Sequence, residues 1–289
     1  MKYILLLFTS FIATVQAQNI TGIATYQSKT DIDIKLENSS LSPEMMQQIQ
    51  DKMKKQFEKT YTLTFNNNES VFQEEEQLGA PGLSGGNVQM ITVGGSFKGG
   101  KFYKNLAEKS FAKESDISGK AFLIKDKLKA YEWELTNESK QIGQYVVFKA
   151  IAVENVDTAS FSKYFKKKMT QKSDNTADSI VSPLDELKMP TERKIIAWYT
   201  PQIPIKTGPE DYWGLPGLIL ELNTGKTTML CSKIILNPKE EVVIEEPKKG
   251  KEISQEEYDT IMREKTEEMM EMYSGKGKKG EGIRIEIKN

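Results

Sequence analysis

The chain has 289 residues, 40 basic and 41 acidic, one cysteine and no histidine. A net charge of −1 gives no electrostatic footprint for nucleic acid or an anionic membrane surface, and a lone cysteine cannot form an intramolecular disulfide. The missing imidazole excludes Ser-His-Asp and Cys-His nucleophiles, the His-Glu-x-x-His zinc site and any histidine general base.

Residues 1–17 read as a secretory signal: Lys2 precedes a short apolar run, and Val15-Gln16-Ala17 supplies small residues for cleavage before Gln18. That run meets Gln16, Gln18 and Asn19 too soon to span a bilayer, which needs about 20 apolar residues. The expected mature product is one exported β-rich domain, 18–289, without a membrane span and without a cysteine placed to take a lipid. Period-two alternation then begins at 31–36, with Ile32, Ile34 and Leu36 on one face and Asp31, Asp33 and Lys35 on the other. A helix is predicted over 42–57, with Ser42 as N-cap, Pro43 in the first turn, and Met45, Ile49, Met53 and Phe57 along one face.

Strands follow at 60–65, 70–73, 88–93, 101–105, 120–124, 131–135 and 144–153, separated by glycine and asparagine turns. In 131–135 the aromatic residues Tyr131 and Trp133, with Leu135, form the predicted buried face. A polar excursion occupies 155–189. Further strands are expected at 194–199, 218–222, 227–236, 241–245 and 283–287. A second helix, about 254–274, opens with a Ser254/Glu257 capping box and carries Tyr258, Ile261, Met262, Met269 and Met272. The fold class expected is all-β with two accessory helices, a curved antiparallel sheet forming an incomplete barrel or sandwich, with the helices on its concave side or at an open edge.

Chemistry-bearing motifs are sparse. Gly95, Gly100 and Lys101 satisfy the spacing of a phosphate-binding loop, but Phe102 stands where a magnesium-holding Ser or Thr is needed, so a hairpin connection is expected. Cys231 lies in an apolar strand pattern and reads as a buried, inert thiol. Glu132 with Glu134, and Glu210 with Asp211, are carboxylate pairs, and a histidine-free hydrolase would have to use such a pair. The methionines of the two helices suit either soft apolar packing or Cu(I) ligation. Trp198, Tyr199, Tyr212 and Trp213 form an aromatic group around Gly214-Leu215-Pro216-Gly217, where Pro216-Gly217 suggests a type II turn with Gly217 at positive φ.

The run Ala197-Trp198-Tyr199-Thr200-Pro201 followed by Asp211-Tyr212-Trp213-Gly214-Leu215-Pro216-Gly217-Leu218-Ile219 resembles the signature of the GLPGLI family of exported Bacteroidetes proteins. Trp133 and the element Tyr145-Val146-Val147-Phe148-Lys149-Ala150 are similar to upstream family elements, with Val147 where members often carry cysteine. The resemblance implies an envelope or secreted protein, periplasmic or outer-membrane-associated, often encoded near outer-membrane receptors, and it supplies no catalytic residues. The functional expectation is a non-catalytic envelope protein without cofactor or metal. It would bind an apolar small molecule, a peptide or an outer-membrane receptor or transport complex through Trp198, Tyr199, Tyr212, Trp213, Gly214, Leu215, Pro216 and Gly217. A carboxylate-dependent hydrolase and methionine-based Cu(I) handling are the alternatives.

Overall fold

The computed structural model describes residues 19–30, 58–75, 100–117, 119–155 and 192–275, together with Glu44 and Gln47. The expected signal, the alternating segments 31–36 and 283–287, the predicted strand 88–93, nearly all of the expected polar excursion and nearly all of the first predicted helix lie outside the described residues.

Twelve strands form one sheet among the described residues. They are β1 (Gly22–Thr30), β2 (Lys59–Phe65), β3 (Glu69–Glu74), β4 (Phe102–Asn105), β5 (Ser110–Ile117) and β6 (Lys120–Lys127), then β7 (Glu134–Ile142), β8 (Tyr145–Asn155), β9 (Glu192–Thr200), β10 (Leu218–Asn223), β11 (Thr227–Leu236) and β12 (Lys251–Ile253). The order is β12-β6-β5-β4-β3-β2-β1-β11-β10-β9-β8-β7. Every pairing is antiparallel except β12 on β6.

Chain length alone requires the sheet to curl. Strands β6 and β7 are ten neighbour steps apart, roughly 48 Å across a flat sheet at the usual strand spacing. The connection 128–133 that joins them spans at most about 25 Å when fully extended. Only a strongly bent sheet brings its ends within that reach, and register shifts at Thr25/Tyr26, Ile219/Glu221 and Leu135/Ser139 provide local bends. The result is an incomplete barrel, open between β12 and β7.

One face of this curve is the interior. Ala24 and Tyr26 of β1, Leu63 and Phe65 of β2, Phe72 of β3, Ala197 of β9 and Leu222 of β10 are buried in a single cluster. The β9–β10 connection folds into it, adding Ile203, Ile205, Tyr212 and Leu215. On the outer face, Leu230 and Ile235 are exposed, and a smaller cluster of Val71, Tyr103, Ala112 and Leu123 is covered by Ile244.

Three expectations are corrected. Residues 241–245 form no strand: they run extended over the outer face, half-burying Val242 and Ile244 without a ladder. Tyr131 and Trp133 are half-buried as predicted, but they precede the ladder, which starts at Glu134. Leu135 is 55% exposed because β7 is the edge strand and has little to cover it.

The second predicted helix is α1 (Gln255–Gly275). Its capping box forms in both directions: Ser254 N donates to Glu257 Oε2 (2.8 Å) and Glu257 N to Ser254 Oγ (3.2 Å). Tyr258, Ile261 and Met262 pack on Ile117, Phe122, Ile124 and Ile253, so α1 caps the β6/β12 end on the inner face. Among the described residues no helix is long and apolar enough to cross a membrane.

Candidate functional site

The signature is a fold-shaping loop in which the positive φ expected at Gly217 falls on its other glycine. Gly214, not Gly217, has positive φ, at 96°. Gly217 N donates to Leu215 O (2.8 Å), closing a three-residue γ-turn centred on Pro216 in place of a type II turn. Glycine is required at 217 for approach: an added Cβ would stand 2.1 Å from Thr200 O and 2.5 Å from Thr200 C. Leu215, Gly217 and Leu218 are buried, while Gly214 and Pro216 are exposed.

The loop before the signature is held from the sheet and from across the barrel mouth. From the sheet, Ser70 Oγ and Thr207 Oγ1 lie 2.9 Å apart, and Lys104 Nζ donates to Gly208 O (2.5 Å), Glu210 O (2.6 Å) and Tyr212 O (3.4 Å); Tyr26 Oη donates to Ile219 O of β10, just after the signature turn (2.6 Å). Across the mouth, the connection 128–133 grips the same loop. Tyr131 Oη donates to Asp211 Oδ2 (2.5 Å), Trp133 Nε1 to Trp213 O (2.9 Å) and Trp213 Nε1 to Lys129 O (2.7 Å). The rings follow, with Tyr131 centred 5.0 Å from Tyr212 and 5.5 Å from Trp133.

Charge is concentrated at this clasp. Glu154 of β8 receives Lys129 (2.5 Å) and Arg193; burial would raise its pKa, but these two cations hold it below the ordinary carboxylate value. Glu210 adopts φ 48°. Burial, and then the neighbouring Asp211 charge, push its carboxyl up to about 7 against the attraction of Lys113, Arg193 and Lys104. Lys104 is fully buried and shifts the other way, down to about 7, because burial outweighs the attraction of Asp211 and Glu210. The Cys231 thiol, raised to about 12 by burial, is no nucleophile at neutral pH.

The raised Glu210 carboxyl sets a pH dependence. Native Glu210 keeps its proton between its ordinary value of 4.5 and about 7, where the unfolded chain has lost it. Its contribution therefore falls as pH rises through that window and is lost above it. Glu210→Gln stays neutral throughout, so urea denaturation at about pH 8 is expected to find it more stable than the parent by about 1–3 kcal/mol. At about pH 4.5 the two should match; an equal difference at both pH values would remove the titration as its cause.

The predicted aromatic group divides. Tyr212 and Trp213 join the clasp. Trp198 and Tyr199, consecutive on β9, face opposite sides: Tyr199 packs inward near Phe148 (6.3 Å), and Trp198 lies outward beneath Lys140 Nζ (4.2 Å), itself paired to Glu221 (2.6 Å). Glu132 and Glu134 are both exposed. Gly100 and Lys101 lead directly into β4, where a Cβ at 100 would stand 2.2 Å from Glu114 O of the neighbouring β5; Gly95 lies outside the described residues. Among the described residues no group of His, Cys, Asp and Glu is placed to hold a metal. The side chains of Met269, Met270 and Met272 lie outside the described set.

Lys104, Tyr131, Glu154 and Arg193 were not singled out by motif. The available signal was Lys104 itself, a cation at the inward position of the Phe102-Tyr103-Lys104 alternation. Clefts of about 350 and 230 Å³ lie elsewhere, one beside Tyr103, Lys125 and Glu246, the other beside Asn66, Asn67 and Asn68, and neither includes a signature residue.

Residues 133–221, from Trp133 of the clasp to Glu221 of β10, match a sequence family described as Protein of unknown function (Porph_ging). No curated protein matches the chain. Solved structures similar to it include those of PNGF-II in space groups C2 and P21, each at 13% identity, with TM-scores of 0.45 and 0.43. They cover 84% and 83% of this chain, which spans about a third, 32%, of each of theirs.

Proposed function

We propose that this chain is an exported, non-catalytic cell-envelope protein of the GLPGLI type that recognises a polypeptide, either a peptide or an outer-membrane protein partner, at the rim of its incomplete barrel. The signal-like residues 1–17 and the Trp-Gly-Leu-Pro-Gly-Leu signature support export into a bacterial envelope, periplasmic or secreted. One observation carries the choice of a surface over a cavity. Residues 203–217 fill the interior with their own Ile203, Ile205 and Leu215, and the same loop brings half-buried Trp213 and exposed Gly214 out beside Trp133 and leaves Pro216 exposed. A rigid aromatic rim with polar tips already hydrogen-bonded contributes contact area at little entropic cost.

The test is capture from the native envelope with the mature protein, followed by mass spectrometry. The expected result is a reproducible envelope partner, lost with Trp213→Ala and with Pro216→Glu at an exposed position, each variant first checked by circular dichroism to keep the parent's fold. Capture undiminished in both variants would place recognition elsewhere, and absence of any partner after mild cross-linking would end the reading.

A second reading, a carboxylate-dependent hydrolase, is favoured by one specific feature. Glu210 carries its proton close to neutrality beside Asp211, which accepts a hydrogen bond from Tyr131. A carboxyl that keeps its proton this close to neutrality can serve as a general acid. Such an activity would decline as pH rises through about 7 and vanish in Glu210→Gln.

A further inference from the structure

Lys104 is the most unusual side chain in the fold. It lies on β4 opposite Ser70, points into the barrel and has no exposed surface. Lysine is almost never fully buried unless paired, yet among the described residues Lys104 makes no ion pair to a carboxylate. Its ammonium instead donates to Gly208 O, Glu210 O and Tyr212 O, all within five residues of one turn. Three donors meet three carbonyls, the way a bound cation organises a coordinating loop. The residues so fixed include Asp211, bonded to Tyr131, and lead into Trp213, bonded to Lys129.

We propose that Lys104 is the positioning residue of the recognition loop: its charged ammonium fixes the backbone of residues 208–212, so aiming Asp211, Tyr212 and Trp213 at the rim, and loss of that charge loosens the loop. This rests on the rim being the recognition surface, but the loop's response can be measured with no partner present.

Charged groups around the latch come from four elements. Asp211 and Glu210 of the loop face Lys104. Glu210 is faced by Asp211, by Lys113 of β5, by Arg193 of β9 and by Lys104, and Lys113 is faced in addition by Asp259 of α1. Rising pH acts twice on the same five residues. Deprotonation leaves Lys104 a neutral amine with two N–H donors for three carbonyls and removes the charge assistance that roughly doubles such bonds. Ionisation of Glu210 then sets like charges on consecutive residues, which Lys113 and Arg193 partly offset.

The experiment is an NMR titration of the mature protein, labelled at the lysine Cε carbons and backbone nitrogens, from about pH 5 to about pH 9. Lys104 Cε and the amides of Gly208, Asp211 and Trp213 are expected to shift with one midpoint near neutrality, while those of Leu63 and Ala24 stay fixed. Lys104→Met should display already at low pH the loosened loop pattern and keep only the step that belongs to Glu210, and Lys104→Met combined with Glu210→Gln should show no transition. In Glu210→Gln the loop should still follow Lys104. The proposal is overturned if Lys104 titrates above about pH 9, if the loop amides do not move with it, if Lys104→Met keeps the low-pH loop pattern, or if Glu210→Gln abolishes the loop transition while Lys104 still titrates. Should Lys104→Met not fold, the coincidence or separation of the parent's midpoints decides. A latch that titrates as expected while partner capture is indifferent to pH would refute the recognition reading and leave the latch standing.

Discussion

Gly217→Ala is expected to cost about 3 kcal/mol or more, enough to unfold the protein if its stability lies near the low end for natural domains. The new methyl group would stand 2.1 Å from Thr200 O, 2.5 Å from Thr200 C and 2.9 Å from Pro201 N, all backbone atoms at the end of β9. Relief requires β9 and β10 to separate where Leu218 pairs with Thr200 and where Leu218 N donates to Ile203 O. Gly214→Ala is the matched control. Its φ of 96° strains any L-residue, but the nearest atom to the added Cβ is Trp133 Nε1 at 3.9 Å, so only the strain is incurred, about 1–2 kcal/mol. Urea denaturation of both variants checks the order. A Gly217→Ala protein more stable than Gly214→Ala would contradict the close approach.

Trp133→Ala is expected to lose about 3 kcal/mol, the lower end for an aromatic truncation because the ring is only half-buried. The indole donates to Trp213 O, packs near Tyr131 at 5.5 Å and is the nearest side chain to Gly214. Its removal frees the connection 128–133 from the signature loop, so the loss should appear locally as well as globally. Hydrogen exchange at Tyr131, Trp213 and Gly214 should rise, while β1 and β2 keep their protection relative to the new global stability. Trp133→Phe keeps the ring and loses the N–H bond, and should fall between the two. A loss below about 0.5 kcal/mol for Trp133→Ala would show that the clasp contributes little.

The sequence was legible wherever one strand face is apolar and the other polar. Residues 60–65 alternate in that way, and β2 stands there; 194–199 and 227–236 were legible as apolar runs rich in β-branched and aromatic residues, and β9 and β11 stand there. Strands β1 and β5 escape the same test. The inward set of β1 is Gly22, Ala24, Tyr26 and Ser28, kept small where Phe65 fills the space a Cβ at 22 would need, 2.4 Å away. The inner side of β5 mixes Phe111 and Ile117 with Lys113 and Ser115, because it faces the charged loop and Tyr258.

Some features were determined by the sequence alone: the β class, the capped helix at Ser254, the inertness of Cys231 and the exclusion of histidine chemistry. These follow from local periodicity, from local hydrogen bonding and from which side chains the chain possesses. Tertiary structure decided the rest. It separated Trp198 from Tyr199, gave positive φ to Gly214 and close approach to Gly217, exposed Leu135 at an edge, and drew Lys104 beneath a loop more than one hundred residues away in sequence. Each of these depends on which distant backbone comes to lie against a residue, and that partner is chosen by the curl of the whole sheet, which no local pattern encodes.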